Sequence, residues 1–385
     1  MNAGFEFATA TRIIFGAGKS TLLPSLVKEM GARTVLFVTG KSLNRVNHLV
    51  SALQSQGSEC RTYSIDGEPT VEHVRKGALH AAGCDLVIGF GGGSAVDGGK
   101  AIAALLGNGG DPMDYIEVVG KGHALTRPSV PFVAVPTTAG TGSEVTRNAV
   151  LGVPEAQCKA SLRSPFMLPT VALVDPDLLS GMPPDVLRAG ALDALCQNIE
   201  PFLSISANPM TDALCHEGIL RSARSLRRAC LGGFDASARD DLALASLFGG
   251  LALANAGLGA VHGFAAPLGG MFNAPHGAVC AALLAASLEV NHRALALRAT
   301  GSPIIERFAT LGSWVTGSTQ QDPQAVVRWV RSLCADLAVP GLGTFGVQPQ
   351  DVPAVVGKAK NASSMKKNPI VLSDDELSEI LTRSL

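Results

Sequence analysis

The sequence predicts an α/β domain built on a doubly wound parallel sheet, followed by an all-helical domain. Three observations predict it. At 385 residues the chain exceeds what one hydrophobic core usually supports. From about residue 33 to 177, short β-branched or apolar runs alternate with helix-like stretches, as a parallel sheet with crossover helices requires. Beyond Pro176 the strand-like runs cease and helical periodicity takes over. Met182-Pro183-Pro184 marks the boundary, so the domains are expected at 1–180 and 181–385.

The strand-like runs are 34–38, 85–90, 130–135 and 171–174, with helix-like segments such as 43–56 and 71–82 between them. In such a sheet, ligands sit beyond the carboxyl ends of the strands. The second run ends in Gly91-Gly92-Gly93-Ser94-Ala95-Val96-Asp97-Gly98-Gly99-Lys100. Three glycines let the backbone turn sharply and approach a ligand, while Ser94 is placed to cap a helix with Asp97 at its third position. The segment reads as a phosphate seat, although it matches neither G-x-G-x-x-G nor a Walker loop. A glycine turn that merely closes a strand is the alternative. The third run leads into a second glycine cluster, residues 136–146, where Thr137, Thr138, Thr141 and Ser143 add hydroxyls suited to ribose, nicotinamide or phosphate. Two such loops on adjacent strands suggest a dinucleotide across the sheet's edge.

Composition narrows the rest. A net charge of −1 provides no basic field for nucleic acid, so the expected partners are small molecules or another copy of the chain. With 46% hydrophobic and 16% charged residues, a large buried fraction is expected, and an oligomer interface fits the same balance. The eight cysteines include no C-x-x-C pair and read as small core residues. Residues 1–7 show neither a basic leader nor an apolar core, which makes a reducing cytoplasm the expected location.

In the second half, Asp193 and Gln197 lie four apart and share one helical face; a solvent-facing Asp is the commonplace reading of that position. Residues 242–288 contain no Asp, Glu, Lys or Arg, yet hold His262 and His276 in Ala/Gly/Leu-rich sequence. Buried imidazoles need partners for both ring nitrogens, and either hydrogen bonds or a shared cation can supply them. The stretch is long enough for a membrane span, but Gly249-Gly250, Gly257, Gly259, Pro267, Gly269-Gly270 and Pro275 chop it into pieces better suited to core helices. No membrane association is expected.

The chain resembles the iron-containing (group III) alcohol dehydrogenases, related in fold to glycerol dehydrogenase and dehydroquinate synthase. The matching features run in order along nearly the whole sequence: Phe15-Gly16-Ala17-Gly18, residues 91–100 and 136–146, Asp175-Pro176, Asp193-Ala194-Leu195, His262, Pro275-His276-Gly277 and Asn368-Pro369. The resemblance implies a Rossmann-like dinucleotide domain and a helical catalytic domain, with NAD or NADP and one Fe²⁺ or Zn²⁺ as cofactors. It also implies a homodimer or larger homo-oligomer. By motif position the metal ligands would be Asp193, Gln197, His262 and His276, with Asp193 and the two histidines catalytic through the metal. Such a metal favours the alkoxide and, in reverse, polarises the carbonyl that accepts hydride.

The chain departs from the family at two positions: Gln197 stands where the family has His, and Ala266 where it has another His. An amide oxygen is the weaker ligand, and the change at Ala266 removes one proton-relay group. Positional matching puts Thr146, Asn148, Phe166, Leu253, Ser364, Lys366 and Lys367 near the substrate, and Lys159 near the cofactor. Lys366 and Lys367 stand where relatives often have small or polar residues, which fits either a solvated pair or recognition of an anionic aldehyde. After the first strand, Gly40, Lys41 and Ser42 replace the acidic residue common in NAD-preferring members, so tolerance of NADP is expected. The resemblance thus implies a metal-dependent NAD(P) alcohol dehydrogenase or aldehyde reductase. A relative with altered metal dependence, such as a maleylacetate reductase, and a noncatalytic dinucleotide-binding relative are the alternatives; the former tend to carry Asn where Asp193 stands here.

Overall fold

The computed structural model describes residues 4–156 and 158–385. It forms two compact units, one of residues 9–182 and one joining the N-terminal segment up to Ala8 to residues 183–385. Residues 4–8, expected in the first domain, instead belong to the helical unit. Asn255 holds Ala8 by both backbone groups, accepting its N–H at 2.7 Å and donating to its carbonyl at 3.0 Å.

The first unit contains β1 (Arg12–Phe15), α1 (Leu23–Glu29), β2 (Thr34–Thr39), α2 (Asn47–Ser55), β3 (Glu59–Ser64), α3 (Val71–His80), β4 (Leu86–Gly91), α4 (Gly93–Asn108), α5 (Pro112–Tyr115) and β5 (Phe132–Pro136). It closes with the antiparallel hairpin β6 (Asn148–Val153) and β7 (Cys158–Arg163), then β8 (Val171–Val174). Six strands pair in parallel in the order β1-β8-β5-β4-β2-β3. Side chains alternate across it. Val35, Phe37, Leu86 and Ile88 face Leu23, Leu26, Leu49 and Leu53 of α1 and α2, whereas Leu36, Val38 and Val87 join Val74, Val96 and Ile102 of α3 and α4. Because helices cover both faces, the central strands read as continuous apolar runs.

From β2 the chain passes to β3 on one side and then returns to β4 on the other, so the carboxyl ends of β2 and β4 flank the switch point where such sheets bind ligands. The loops there are in contact: a Cβ on Gly91 would lie 3.4 Å from the Gly40 nitrogen. The expected cap at Ser94 is corrected. Strand β4 runs through Gly91 and α4 starts at Gly93, which leaves Gly92 at the cap with no side-chain hydrogen bond. Gly91 makes so abrupt a turn possible, at φ 158° and with space for only a hydrogen beside Ala95.

The helical unit comprises α6 (Pro184–Leu203), α7 (Pro209–Cys230), α8 (Ala236–Ala256), α9 (Ala260–Phe272), α10 (His276–Arg298), α11 (Ile304–Thr316), α12 (Ala325–Asp336), α13 (Val352–Ala359) and α14 (Asp374–Thr382). Gly257 at φ 76° ends α8 and Asn273 at φ 52° ends α9, so the uncharged stretch folds as pieces of three helices. Helices α8 and α9 meet at 99°, and among the described residues no single helix is long and apolar enough to cross a membrane.

Candidate metal centre and nucleotide loops

On α6, Asp193, Gln197 and Glu200 follow at intervals of four and three and therefore line one face. All three are buried. His262 lies in the first turn of α9, and His276 opens α10 with Cys280 one turn later. These elements bring the donors together. Asp193 Oδ1 lies 3.2 Å from His262 Nε2 and 3.8 Å from His276 Nε2, and Cys280 Sγ lies 3.8 Å from each of those nitrogens. One donor atom from each of Asp193, His262, His276 and Cys280 falls within 4.8 Å of the others. Gln197 joins them indirectly: its Nε2 donates to Asp193 Oδ2 at 3.0 Å, while its buried Oε1 has no hydrogen-bond partner among the described residues.

Glu200 connects this cluster to the start of α9. Its Oε1 accepts the Val261 N–H at 2.7 Å, and its Oε2 accepts from His262 Nδ1 at 2.6 Å. The Asn368 side-chain oxygen accepts the neighbouring Ala260 N–H at 3.0 Å. Two distant side chains thus cap a helix whose own cap, Gly259, has none to offer. In the tautomer that donates Nδ1–H to Glu200, His262 Nε2 presents a lone pair toward Asp193. Lone pairs from an imidazole and a carboxylate repel unless positive charge lies between them. Burial alone would push the His262 pKa down, but Cys280, Asp193 and Glu200 outweigh it and hold it well above the usual range. His276 is raised chiefly by Cys280, against burial, with Asp193 adding to the rise. A divalent cation satisfies the same demand, and two imidazoles with a carboxylate are ordinary ligands for Zn²⁺ or Fe²⁺, so the residues present fit a metal.

In the first unit the two glycine-bearing loops abut. A Cβ on Gly92 would lie 3.3 Å from the Thr138 side chain, and one on Gly93 would lie 2.7 Å from Thr141 Cγ2. The amides of the first turn of α4, uncapped by any side chain, and the hydroxyls of Thr138 and Thr141 therefore border one spot at the carboxyl edge of the sheet. Thr137 and Ser143 are buried behind it, with Ser143 opening a short 3₁₀ turn. Asp97 is also buried and accepts the Val150 N–H at 3.0 Å. Beside it the fully buried Lys100 donates to Ser143 O at 2.7 Å, Asn148 O at 2.8 Å and Thr146 Oγ1 at 3.0 Å. This clamp ties α4 to the β5 loop and to β6. Lys41 follows Gly40 and pairs with Asp66 at 3.1 Å, both well exposed, with Ser42 next in the chain. Lys159 on β7 pairs with Glu68 at 2.6 Å.

The expected substrate residues divide between the units. Thr146, Asn148 and the exposed Phe166 lie in the first, the former two committed to Lys100. Leu253, Ser364, Lys366 and Lys367 lie in the helical unit. There Met365 packs on Gly263, next to His262, and Lys367 runs along Gly257 to donate to Ser206 Oγ at 2.9 Å. Lys366 is exposed. Ala266, where a second imidazole would stand, lies one turn beyond His262 on α9.

Sequence reasoning missed three groups: Cys280, Glu200 and Lys100. Cys280 was passed over for lack of a C-x-x-C pair, although its spacing of four from His276 on one helix was the available signal. Glu200 lies seven residues after Asp193 on the same face. Lys100 had no signal beyond the glycine motif.

With the geometry in place, comparison identifies the chain's relatives. A family profile described as iron-containing alcohol dehydrogenase matches residues 10–176, and one for the C-terminal part of the Fe-containing alcohol dehydrogenase family matches residues 188–385. The 1,3-propanediol dehydrogenase of Citrobacter freundii is 32% identical over 99% of this chain and 98% of its own. A crystal structure of a 1,3-propanediol oxidoreductase superposes with a TM-score of 0.90 at 32% identity, covering 100% of both chains. That of sulfoacetaldehyde reductase from Bifidobacterium kashiwanohense, in complex with NAD+, gives 0.88 at 25% identity, covering 100% and 99%. Two profiles spanning nearly the whole sequence, with relatives matched end to end, establish that the chain belongs to the iron-containing alcohol dehydrogenase family and is an oxidoreductase acting on CH–OH groups.

Proposed function

We propose that the protein transfers hydride between a nicotinamide dinucleotide, NAD or NADP, and a small alcohol or aldehyde, with a divalent metal held by Asp193, His262 and His276. The convergence of those three side chains, with Glu200 fixing the tautomer of His262, is the observation that carries the proposal. When bound, the metal supplies Lewis acidity toward the alcohol or carbonyl oxygen and the nicotinamide supplies or accepts the hydride. The protein's own residues do the positioning. Gly91, Gly92, Gly93 and Ser94 open α4 toward the pyrophosphate, and Thr138 and Thr141 offer hydroxyls beside them. Lys100 holds the loops rigid by anchoring Ser143, Thr146 and Asn148. Glu200 keeps a lone pair on His262 aimed at Asp193.

Two finer assignments follow. Without a carboxylate at Gly40, a 2′-phosphate meets Lys41, but Asp66 already holds that ammonium. NADP is therefore accepted, with Asp66 opposing it. The Met365-Lys366-Lys367 segment, packed through Met365 on the helix that carries His262, favours an aldehyde with a negative group. The sulfoacetaldehyde reductase among the similar structures supports that class.

The test loads purified protein anaerobically with Fe²⁺, Zn²⁺ or Mn²⁺ and follows NADH and NADPH oxidation with simple and anionic aldehydes. Stoichiometric metal and turnover, both lost in Asp193→Ala, are expected. Dinucleotide binding with neither metal nor turnover would overturn the proposal.

A further inference from the structure

Cys280 is fully buried, yet its sulfur does not face apolar neighbours alone. It lies 3.8 Å from the Nε2 atoms of both His262 and His276, and its helical spacing from His276 aims both side chains at Asp193. Tetrahedral zinc, with Zn–N near 2.0–2.1 Å and Zn–S near 2.3 Å, has donor-to-donor edges of roughly 3.3–3.6 Å. Asp193 Oδ1 at 3.2 Å and 3.8 Å from the two imidazole nitrogens, and the sulfur at 3.8 Å from each of them, lie within about half an ångström of those edges, and all four donor atoms fall within 4.8 Å of one another.

Gln197, the residue that motif position nominates as a ligand, is engaged elsewhere. Its Nε2 donates to Asp193 Oδ2, and turning the amide over would set its oxygen against that carboxylate. The oxygen that remains has no hydrogen-bond partner among the described residues, although the residue is only 3% exposed.

We propose that Cys280 is a metal ligand in this chain, completing a set of Asp193, His262, His276 and Cys280 in which Gln197 holds Asp193 in place. The inference rests on the metal site proposed above and adds its fourth donor. As the metal enters, the thiol gives its proton to solvent and the sulfur binds as thiolate. The thiolate then joins the buried carboxylates of Asp193 and Glu200 in countering a divalent ion beside a stretch of chain, residues 242–288, that contributes no Asp or Glu of its own. A sulfur donor also moves preference toward zinc and away from harder cations. A metal held by these four donors would have to take substrate oxygen as an additional ligand.

The experiment titrates the full-length apoprotein anaerobically with Co²⁺ and reads its absorption. A thiolate-to-cobalt charge-transfer band in the near ultraviolet, saturating together with the visible d–d bands, is expected. Cys280→Ser should lose the first and keep the second, and Gln197→Ala should keep both. X-ray absorption of the zinc-loaded wild type, which needs no variant to fold, should show one sulfur at about 2.3 Å. Cobalt bound with d–d bands alone, a charge-transfer band that survives Cys280→Ser, or a zinc spectrum with only nitrogen and oxygen neighbours overturns the role of Cys280 and leaves the metal site standing. Failure of the wild type to bind any cobalt or zinc overturns both.

Discussion

Two buried carboxylates show how a single residue can tune each unit. Among the donor set Glu200 hydrogen-bonds His262, and with the same carboxylate it both fixes that ring and caps α9. Replacing it by Gln keeps the shape but removes the charge that favours Nδ1–H donation. Metal affinity is expected to fall about 10–100-fold, as is usual for partners behind a ligand, with helical content unchanged. Titration against a competing chelator measures it, and an unchanged affinity would show that Glu200 only caps the helix. Glu144 acts on the other unit's stability. Burial raises its pKa to about 7 against the pull of its own backbone N–H and of Lys100. A carboxyl raised in the folded state leaves stability intact below its unfolded pKa and takes it away as pH rises through the folded value. The window therefore runs from about pH 4.5 to 7 and is worth on the order of 3 kcal/mol. Glu144→Gln should thus be more stable than wild type to urea at pH 8, with the advantage gone at pH 4. An equal difference at both values would show that ionisation is not its cause.

At the scale of elements, the start of α9 is a tightly constrained joint in the helical unit. A Cβ on Gly259 would lie 2.8 Å from Glu200 Oε1 and 2.9 Å from Asn368 Oδ1, the two atoms that accept the first amides of the helix. Gly259→Ala must push one or both aside. A loss of roughly 1–3 kcal/mol is expected, together with weaker metal binding as His262 loses its anchor. Equilibrium unfolding and metal titration on the same variant read both effects; lost stability with unaltered metal affinity would separate the caps from the ligand. Neither cap was legible in the sequence, because Glu200 and Asn368 reach α9 from far along the chain. The inner strands β2, β4, β5 and β8 were legible for the opposite reason: covered on both faces, each is an uninterrupted apolar run. The edge strands β1 and β3 and the hairpin β6–β7 were not, since segments such as Glu59–Ser64 and Cys158–Arg163 are only partly buried and mix charged with small residues. The α4 cap was misplaced by two positions because Ser94 is an excellent cap by type, while the geometry of Gly91 starts the helix before it.

For the molecule as a whole, each proposed cofactor has its groups within one unit. The glycine loops and the Lys100 clamp lie in residues 9–182, and every donor around Asp193 lies in the helical unit. A ligand that binds only the folded form stabilises what it touches by RT ln(1 + [L]/Kd), about 2.7 kcal/mol at a hundredfold excess over Kd. Its effect on amide hydrogen exchange should be greatest in the elements that supply its contacts. Zinc added alone is expected to slow exchange in α6 around Asp193, in the first turns of α9 and in α10 through Cys280. NADH or NADPH added alone is expected to slow it at residues 91–97 and 137–146 instead. Both experiments use the intact chain, and each is the other's control. Zinc protection centred on the glycine loops, or dinucleotide protection centred on His262 and His276, would mean that the binding groups are assigned to the wrong unit. With zinc protection confined to α6, α9 and α10, adding Gln197→Ala then distinguishes the residue's two roles. If it only holds Asp193, protection of α10 around His276 and Cys280 persists while that of α6 declines; if its oxygen is itself a ligand, protection declines in all three helices together.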